Sequence, residues 1–209
     1  MTRESARPWP RSTGGTPAGE GCDGAPDALL VAMVRRGDPE GGTELFARYA
    51  SPLLRFTSRM LGDSSEAEEV TQEVVLKVIS RAGQYDGRAP VSSWLFAIAA
   101  NACRDRLRSP ARRVFPIDDD SPLFASPAPA ESALLARERE EAVRRALVLL
   151  SPEQREALVL ARWHEMPYAE VARTLGITEG AVKTRVFRAM ETLKAHFSRG
   201  DFPCPAPNS

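Results

Sequence analysis

The residues of this chain best suited to binding chemistry lie on a predicted helix near its C-terminal end. The segment from Tyr168 to Leu193 predicts a short helix, a turn at Gly176 and a second helix that Thr178 can cap. Apolar residues recur at helical spacing on one side of the second helix. On the opposite side, lysine, threonine and arginine can contact phosphates and base edges, and phenylalanine can contact a thymine methyl group. The apolar stripe is Val182, Val186, Ala189 and Leu193, and the opposite side carries Gly180, Thr184, Phe187 and Arg188, with Lys183 on its flank.

This order of elements is that of a helix-turn-helix whose second helix enters the major groove. It predicts DNA binding. The alternative is a helical hairpin whose basic face is only solvated.

The charge balance limits that prediction. Lysine and arginine number 28, as do aspartate and glutamate, so the formal net charge is zero. A free-standing nucleic-acid-binding protein is usually basic overall. Basic surfaces must therefore be local, and the acidic surfaces must serve another purpose.

Side chains for catalysis or metal binding are sparse. His164 and His196 stand apart from any predicted nucleophile or ligand set, and the three cysteines lack paired spacing. An acidic triplet at 118–120 lies in a proline-rich segment, where the geometry of a metal site would be loose. We predict no catalytic residue, no metal and no cofactor, and an enzyme is the least favoured function.

The chain also lacks the sequence signals of membrane insertion or export. No apolar run approaches the roughly 20 residues that a membrane span requires, and the first residues lack the apolar core of a signal peptide. Unpaired cysteines fit a reducing compartment. We expect no membrane insertion and a cytoplasmic location.

Helical periodicity without any alternating strand pattern predicts an all-α protein of two small helical domains. Residues 27–109 form the first domain and residues 131–198 the second. Residues 110–130 are rich in proline and read as a flexible linker. The segments 1–26 and 199–209 read as disordered tails.

Capping residues suggest where individual helices begin. Asp27 can cap the first helix, and Ser65 can cap a third helix that follows a turn. Ser151 precedes proline and is followed three residues later by Gln154, which is a strong helix start.

The third predicted helix has an acidic face that also contains apolar residues. Ala67, Val70, Val74 and Val78 form its buried stripe. Acids interspersed with exposed apolar side chains suit a basic partner helix, and the alternative is a solvated face. The residues of this face are Glu68, Glu69, Gln72, Glu73 and Leu76.

The fourth predicted helix, from Ser92 to Ser109, turns a basic stripe away from its core residues. Guanidinium groups at this spacing can follow a phosphate backbone, and an amide can bond a base. The alternative is an exposed basic helix end. The core residues are Val91, Trp94, Leu95, Ile98 and Ala102, and the outward stripe is Ala97, Asn101, Arg104 and Arg108.

The loop before this helix, YDGRAPVSS, contains glycine and small polar residues. Gly87, Ser92 and Ser93 leave room for an unstacked base and offer it hydroxyl groups.

Three segments, in this order, resemble motifs of one family. SSEAEEVTQEVVLKVISRA resembles the core-polymerase-binding helix of bacterial sigma factors, and YDGRAPVSSWLFAIAANACRDRLRS resembles their −10 element region. The segment from Leu150 to Leu193 is similar to their −35-reading domain. The chain is thereby identified, over residues 27–197, as resembling the extracytoplasmic-function (ECF) subfamily of the sigma-70 family.

The resemblance implies a transcription initiation factor that performs no chemistry of its own. The acidic face of the third helix would dock on the β′ clamp helices of core RNA polymerase, and the β flap is a further expected contact. The loop from Gly87 to Ser93, with Asn101, would capture a flipped −10 base. The recognition helix would read the −35 element, with Tyr168 near the phosphates. Promoter DNA and an anti-sigma factor are expected partners, because members of this subfamily are commonly held inactive by one.

The chain departs from the family pattern at four positions. Ala97 and Ala100 stand where arginine is frequent, Val91 replaces the usual aromatic residue, and Thr71 interrupts the apolar run of the polymerase-binding helix. The competing interpretation is an autonomous helix-turn-helix regulator that never contacts core polymerase. It would account for the second domain but not for the first.

Overall fold

The computed structural model describes residues 25–109 and 141–197, and every regular element in these ranges is helical. The all-α prediction is confirmed there. The predicted linker and C-terminal tail, and all but two residues of the predicted N-terminal tail, lie outside the described residues. Within the two described ranges, no helix is long and apolar enough to cross a membrane.

Four helices make up the first part of the structure, which we call the N-terminal unit. They are α1 (Asp27–Arg35), α2 (Pro39–Leu61), α3 (Ser64–Arg81) and α4 (Val91–Arg108), with a single 3₁₀ turn at Ala82–Gln84. The second part, the C-terminal unit, contains residues 141–148 (α5), α6 (Pro152–Arg162), α7 (Tyr168–Leu175) and α8 (Glu179–Phe197).

Aspartates lie at the starts of α1, α2 and α3, but two of the predicted caps are wrong. The carboxylate of Asp63 accepts a 2.7 Å hydrogen bond from the backbone N–H of Glu66, so α3 is capped two residues before the predicted Ser65. Asp27 is the first helical residue of α1 and does not cap it. Its carboxylate instead accepts hydrogen bonds from Arg48 and Tyr49 of α2.

The helix starts and stops of the C-terminal unit follow the prediction closely. Ser151 and Gln154 form a reciprocal capping box at the start of α6. Gly176 ends α7 with φ of +67°, a conformation that glycine adopts without steric cost. The hydroxyl of Thr178 then accepts a 3.2 Å hydrogen bond from the N–H of Ala181. These local signals set the angle between α7 and α8.

The two units share a continuous apolar core. Phe56 of α2, Phe96 of α4 and His164, which follows α6, form a ring cluster with centroid distances of 4.4–5.9 Å. Arg155 of α6 is 4% exposed and donates to the carbonyl oxygen of Met60 at the end of α2. The C-terminal unit therefore packs directly on α2 and α4.

Candidate promoter and polymerase interfaces

The helix α8 presents a polar face to solvent, as the sequence predicts. Its four stripe residues, Val182, Val186, Ala189 and Leu193, are all buried. The opposite face is open to solvent, and even its apolar residue, Phe187, is 67% exposed. Its exposed residues are Gly180, Lys183, Thr184, Phe187 and Arg188.

Few contacts among the described residues hold this face. Lys183 lies 3.1 Å from the carboxylate of Glu179, one turn earlier, and the hydroxyl of Thr184 donates to the carbonyl of Gly180. A Cβ atom added at Gly180 would meet no atom within 4 Å, so a ligand can approach the backbone closely there. Tyr168 is half-buried at the first position of α7.

The acidic face of α3 is also open. Its four predicted core residues, Ala67, Val70, Val74 and Val78, have 0% exposure. Leu76 is 66% exposed and Ile79 is 49% exposed, which is unusual for apolar side chains unless a partner covers them. Every predicted docking residue is exposed, namely Glu68, Glu69, Gln72, Glu73 and Leu76.

One arginine of α4 reaches this face, a contact that sequence patterns did not reveal. Arg106 donates to Glu69 at 2.9 Å and to Glu73 at 3.0 Å, so one guanidinium bridges two successive turns of α3. The hydrogen bond to Glu69 is the main reason that the pKa of Arg106 is raised. The bridge fixes two carboxylates of the predicted docking face relative to each other.

Thr71 does not belong to the docking face. Its hydroxyl lies 2.8 Å from that of Thr57 on α2 and donates to the carbonyl of Ala67. The departure from the family pattern is therefore a polar contact between α3 and α2.

The outward side of α4 is divided between solvent and the C-terminal unit. Asn101 and Arg108 are exposed, and the side-chain oxygen of Asn101 accepts a 2.8 Å hydrogen bond from Arg104. In the preceding loop, Gly87 has φ of +73° and is exposed. The Tyr85 hydroxyl donates to the carbonyl of Ala89, which closes the loop.

Other residues predicted to face outward are covered. Ala97 is 4% exposed, so its placement on an outward stripe is wrong. Ser93 is completely buried and donates a 2.6 Å hydrogen bond to the carboxylate of Glu170 on α7, and Ser92 lies 3.4 Å from the same oxygen. The pattern of α4 indicated which side faces its own core, and could not indicate that a second unit covers part of the other side.

A buried carboxylate joins α4 to the C-terminal unit at the other end of this stripe. Glu156 of α6 has a side-chain exposure of 2% and lies 3.2 Å from both Arg104 of α4 and Arg185 of α8. Burial raises the pKa of Glu156 to about 7, and the two arginines oppose that rise. No sequence pattern marked Glu156 or Glu170, because their partners lie 52 and 77 residues away.

His164 is similarly shielded. Its ring packs on Phe56 and Phe96, and burial lowers its pKa to about 4, with Arg59 and Arg55 contributing in the same direction. Among the described residues, no group of three or more histidine, cysteine or acidic side chains is arranged to hold a metal ion.

Two family models match the chain in the order of the units described above. The model described as "Sigma-70 region 2" matches residues 45–113, and the model described as "Sigma-70, region 4" matches residues 140–193.

Several named relatives match over most of their length. The ECF RNA polymerase sigma factor SigM of Mycobacterium tuberculosis is 37% identical over 168 residues, which cover 80% of this chain and 82% of SigM. The RNA polymerase sigma factor CarQ of Myxococcus xanthus is 34% identical, with 78% and 93% covered. The RNA polymerase sigma-H factor of Pseudomonas aeruginosa is 30% identical, with 80% and 91% covered.

Solved structures agree with the fold. The structure of CnrH in complex with the cytosolic domain of CnrY matches with a TM-score of 0.65 at 25% identity, covering 84% of this chain and 99% of that one. The sigma factor RpoE in complex with the anti-sigma factor NepR from Bartonella quintana matches with a TM-score of 0.59 at 21% identity, covering 76% and 98%. Two matching sigma-70 regions, relatives that are sigma factors over nearly their whole length and an all-helical fold leave one conclusion: the chain belongs to the ECF subfamily of the sigma-70 family, whose members bind core RNA polymerase and direct promoter-specific transcription initiation.

Proposed function

We propose that this sigma factor uses three separate surfaces, one for each of its interactions. The exposed face of α3 docks on the β′ clamp helices of core polymerase. The α4 helix and its preceding loop hold the unpaired −10 strand, through Gly87, Ser92, Ser93, Asn101, Arg104 and Arg108. The polar face of α8 reads the −35 element, through Gly180, Lys183, Thr184, Phe187 and Arg188, with Tyr168 near the phosphates.

The observation that carries this proposal is the exposed face of α3. An autonomous helix-turn-helix regulator would need α8 but would have no use for an exposed leucine framed by acids on a different unit. Leu76, which is 66% exposed, gives a basic partner helix an apolar contact. Glu69 and Glu73, on either side of Gln72, both supply negative charge that attracts the basic partner.

Charge reversal on this face tests the docking assignment. Glu69→Lys with Gln72→Lys should abolish co-purification with core polymerase, because like charges brought together at an interface cost several kcal/mol. Glu69 also holds Arg106, so a second variant, Gln72→Lys with Leu76→Ala, leaves that bridge intact.

A matched control carries the same kinds of substitution elsewhere on the N-terminal unit. Glu40→Lys with Gln84→Lys alters one exposed acid of α2 and one exposed glutamine of the 3₁₀ turn, both outside the exposed face of α3, and should co-purify as the wild type does. Wild-type association of both α3 variants would overturn the docking assignment.

The remaining parts of the proposal follow from this arrangement. The N-terminal domain spans 27–109 and the C-terminal domain 131–198, and the β flap is a further polymerase contact of the protein. Polymerase performs the catalysis, and the protein works in the cytoplasm, where polymerase acts. Because RpoE of Bartonella quintana was solved with the anti-sigma factor NepR, an anti-sigma factor is also a proposed partner.

A further inference from the structure

Arg106 of α4 lies beneath the exposed face of α3, in contact with two of its carboxylates. Its Nη1 donates to Oε2 of Glu69 at 2.9 Å, and its Nη2 donates to Oε1 of Glu73 at 3.0 Å. The side chain of Arg106 is 22% exposed, whereas those of Glu69 and Glu73 are 67% and 47% exposed. A partner that approaches this face from solvent therefore meets the carboxylates before it meets the guanidinium.

The contact with Arg106 uses only one oxygen of each carboxylate. The second oxygen of Glu73 lies 3.7 Å from Lys77 of the same helix. A carboxylate that accepts from one donor can accept further hydrogen bonds, because its two oxygens together offer about four lone-pair sites. A cation that docks on this face thus does not require Arg106 to leave.

Arginine is suited to hold two carboxylates in a way that lysine is not. The guanidinium is planar, so its two terminal nitrogens fix the direction and the separation of two acceptors, whereas an ammonium acts as a point charge. Glu69 and Glu73 stand four residues apart on α3, where two like charges repel each other. The guanidinium of Arg106 offsets that repulsion and restricts both side chains before any partner arrives.

We propose that Arg106 is a positioning residue for polymerase docking. It holds Glu69 and Glu73 in the orientation in which their outer oxygens receive basic side chains of the clamp helices. This role rests on the proposed function, since it requires α3 to be the docking helix. A residue of α4, which lies outside the docking face, then sets part of the affinity, because the two glutamates lose less side-chain freedom on binding.

Arg106→Lys tests the guanidinium fork without changing the net charge of the chain. Binding of the full-length protein to immobilised core polymerase gives the association and dissociation rates separately. We expect the dissociation rate to rise about fivefold, because the two glutamates must then be ordered on binding. The association rate should stay within about twofold of the wild-type value, since long-range attraction depends on the charge, which is unchanged.

Arg35→Lys is the matched control. It makes the same substitution at an exposed position at the end of α1 and should leave both rates unchanged. Thermal melting shows whether Arg106→Lys alters the fold. Its melting temperature should change by no more than about 4 °C, because ion pairs with exposed partners contribute little to stability.

A second substitution separates positioning from a structural role of Arg106. In the background of Glu73→Ala, only Glu69 remains for residue 106 to orient. The effect of Arg106→Lys on the dissociation rate should therefore fall from about fivefold to about twofold, because residues that act through each other are not additive. An undiminished fivefold effect in this background would mean that Arg106 acts by another route, and would overturn the positioning role.

The outcomes also distinguish this role from the docking assignment itself. Wild-type dissociation of Arg106→Lys, or slower dissociation, overturns the positioning role, and slower dissociation would mean that Arg106 competes with the clamp helices for the carboxylates. If the two α3 variants of the docking test associate with polymerase as the wild type does, the docking assignment fails and the role of Arg106 fails with it. If those variants lose binding while Arg106→Lys keeps wild-type rates, only the role of Arg106 fails.

Discussion

The helices α4 and α8 both carry basic side chains opposite an apolar stripe, but only on α8 is that polar side open to solvent along its length. The polar face of α8 is exposed from Gly180 to Arg188, and its internal contacts are short-range. On α4, Ser93 and Arg104 are held by carboxylates from α7 and α6. The difference lies in the long-range packing of the C-terminal unit.

The comparison shows what amphipathic patterning can and cannot indicate. A stripe of apolar residues predicts which side of a helix meets its own core. The opposite side is polar whether it meets solvent, a ligand or a second unit with complementary charge. On α8 that side meets solvent, and on α4 part of it meets buried Glu156 and Glu170.

The largest effect that this comparison predicts is on stability, at the contact between the C-terminal unit and the N-terminal unit. Arg155 donates to the carbonyl oxygens of Met60, Val148 and Leu150 from a site that is 4% exposed. Arg155→Ala should lower the free energy of unfolding by about 3 kcal/mol or more, because buried acceptors lose a charged donor.

Arg188→Ala is the control from the open face and should change stability by less than about 0.5 kcal/mol. Chemical denaturation followed by circular dichroism gives both values. Equal, small changes in the free energy of unfolding of Arg155→Ala and Arg188→Ala would show that the hydrogen bonds of Arg155 do not contribute to stability.

The sequence predicted most of the local structure correctly, for local reasons. The capping box at Ser151, the left-handed Gly176 and the four buried residues of α8 all depend on neighbours within a few positions. At the start of α3, three successive residues, Asp63, Ser64 and Ser65, can all cap a helix, and the predicted cap at Ser65 lies two residues after the actual cap, Asp63.

The errors at the candidate site concern contacts between distant parts of the chain. The helical spacing puts Ala97 on the same stripe as Asn101, Arg104 and Arg108, and so predicts that it is exposed, whereas it is 4% exposed. The C-terminal unit contacts this stripe through Ser93 and Arg104, whose partners Glu170 and Glu156 lie more than 50 residues away in the sequence. Periodicity within one helix carries no information about such docking.

The second prediction concerns two buried titratable groups of the C-terminal unit, Glu156 and His164, which contact the N-terminal unit. Glu156 has its pKa raised from 4.5 to about 7, so the folded state binds a proton more tightly than the unfolded state does. Its stabilising contribution is complete below pH 4.5 and is lost as the pH rises to about 7, a change of at most about 3 kcal/mol.

His164 acts in the opposite direction. Its pKa is lowered from 6.5 to about 4, so its contribution is complete above pH 6.5 and is lost as the pH falls toward 4. Between pH 5 and 6 the two effects should largely cancel in the wild type. Glu156→Gln should therefore become more stable as the pH rises, and His164→Phe should become less stable.

Melting temperatures measured at intervals between pH 5 and 8 test these slopes. Because the two variants should deviate from the wild type with opposite signs, a general effect of pH on the rest of the chain cannot imitate them. Parallel profiles for all three proteins would mean that neither group titrates at the interface.

The smallest expected effect concerns the open face of α8, where affinity and selectivity should separate. Arg188 faces solvent from the middle of the polar side. Removal of an arginine that binds one base lowers the binding free energy by roughly 1–3 kcal/mol and relaxes the preference at that base pair only. Lys183 lies at the flank, beside Glu179, where contact with a phosphate is expected. Arg188→Ala should therefore flatten the preference at one −35 position. Lys183→Ala should weaken all sequences equally and reduce the slope of log affinity against log salt by about 1.

Binding of the holoenzyme to a library of −35 variants at two salt concentrations distinguishes the two roles. Thr192→Ala is a suitable control, because this exposed residue lies farther along α8 and its hydroxyl donates only to the carbonyl of Arg188 within the helix. Unchanged selectivity and salt dependence in both Arg188→Ala and Lys183→Ala would remove α8 from the groove. The difference in exposure between α8 and α4 would then result from the packing of the C-terminal unit and would not indicate DNA binding by α8. A loss of selectivity confined to Arg188→Ala would instead show that exposure on α8 serves direct readout of the base pairs.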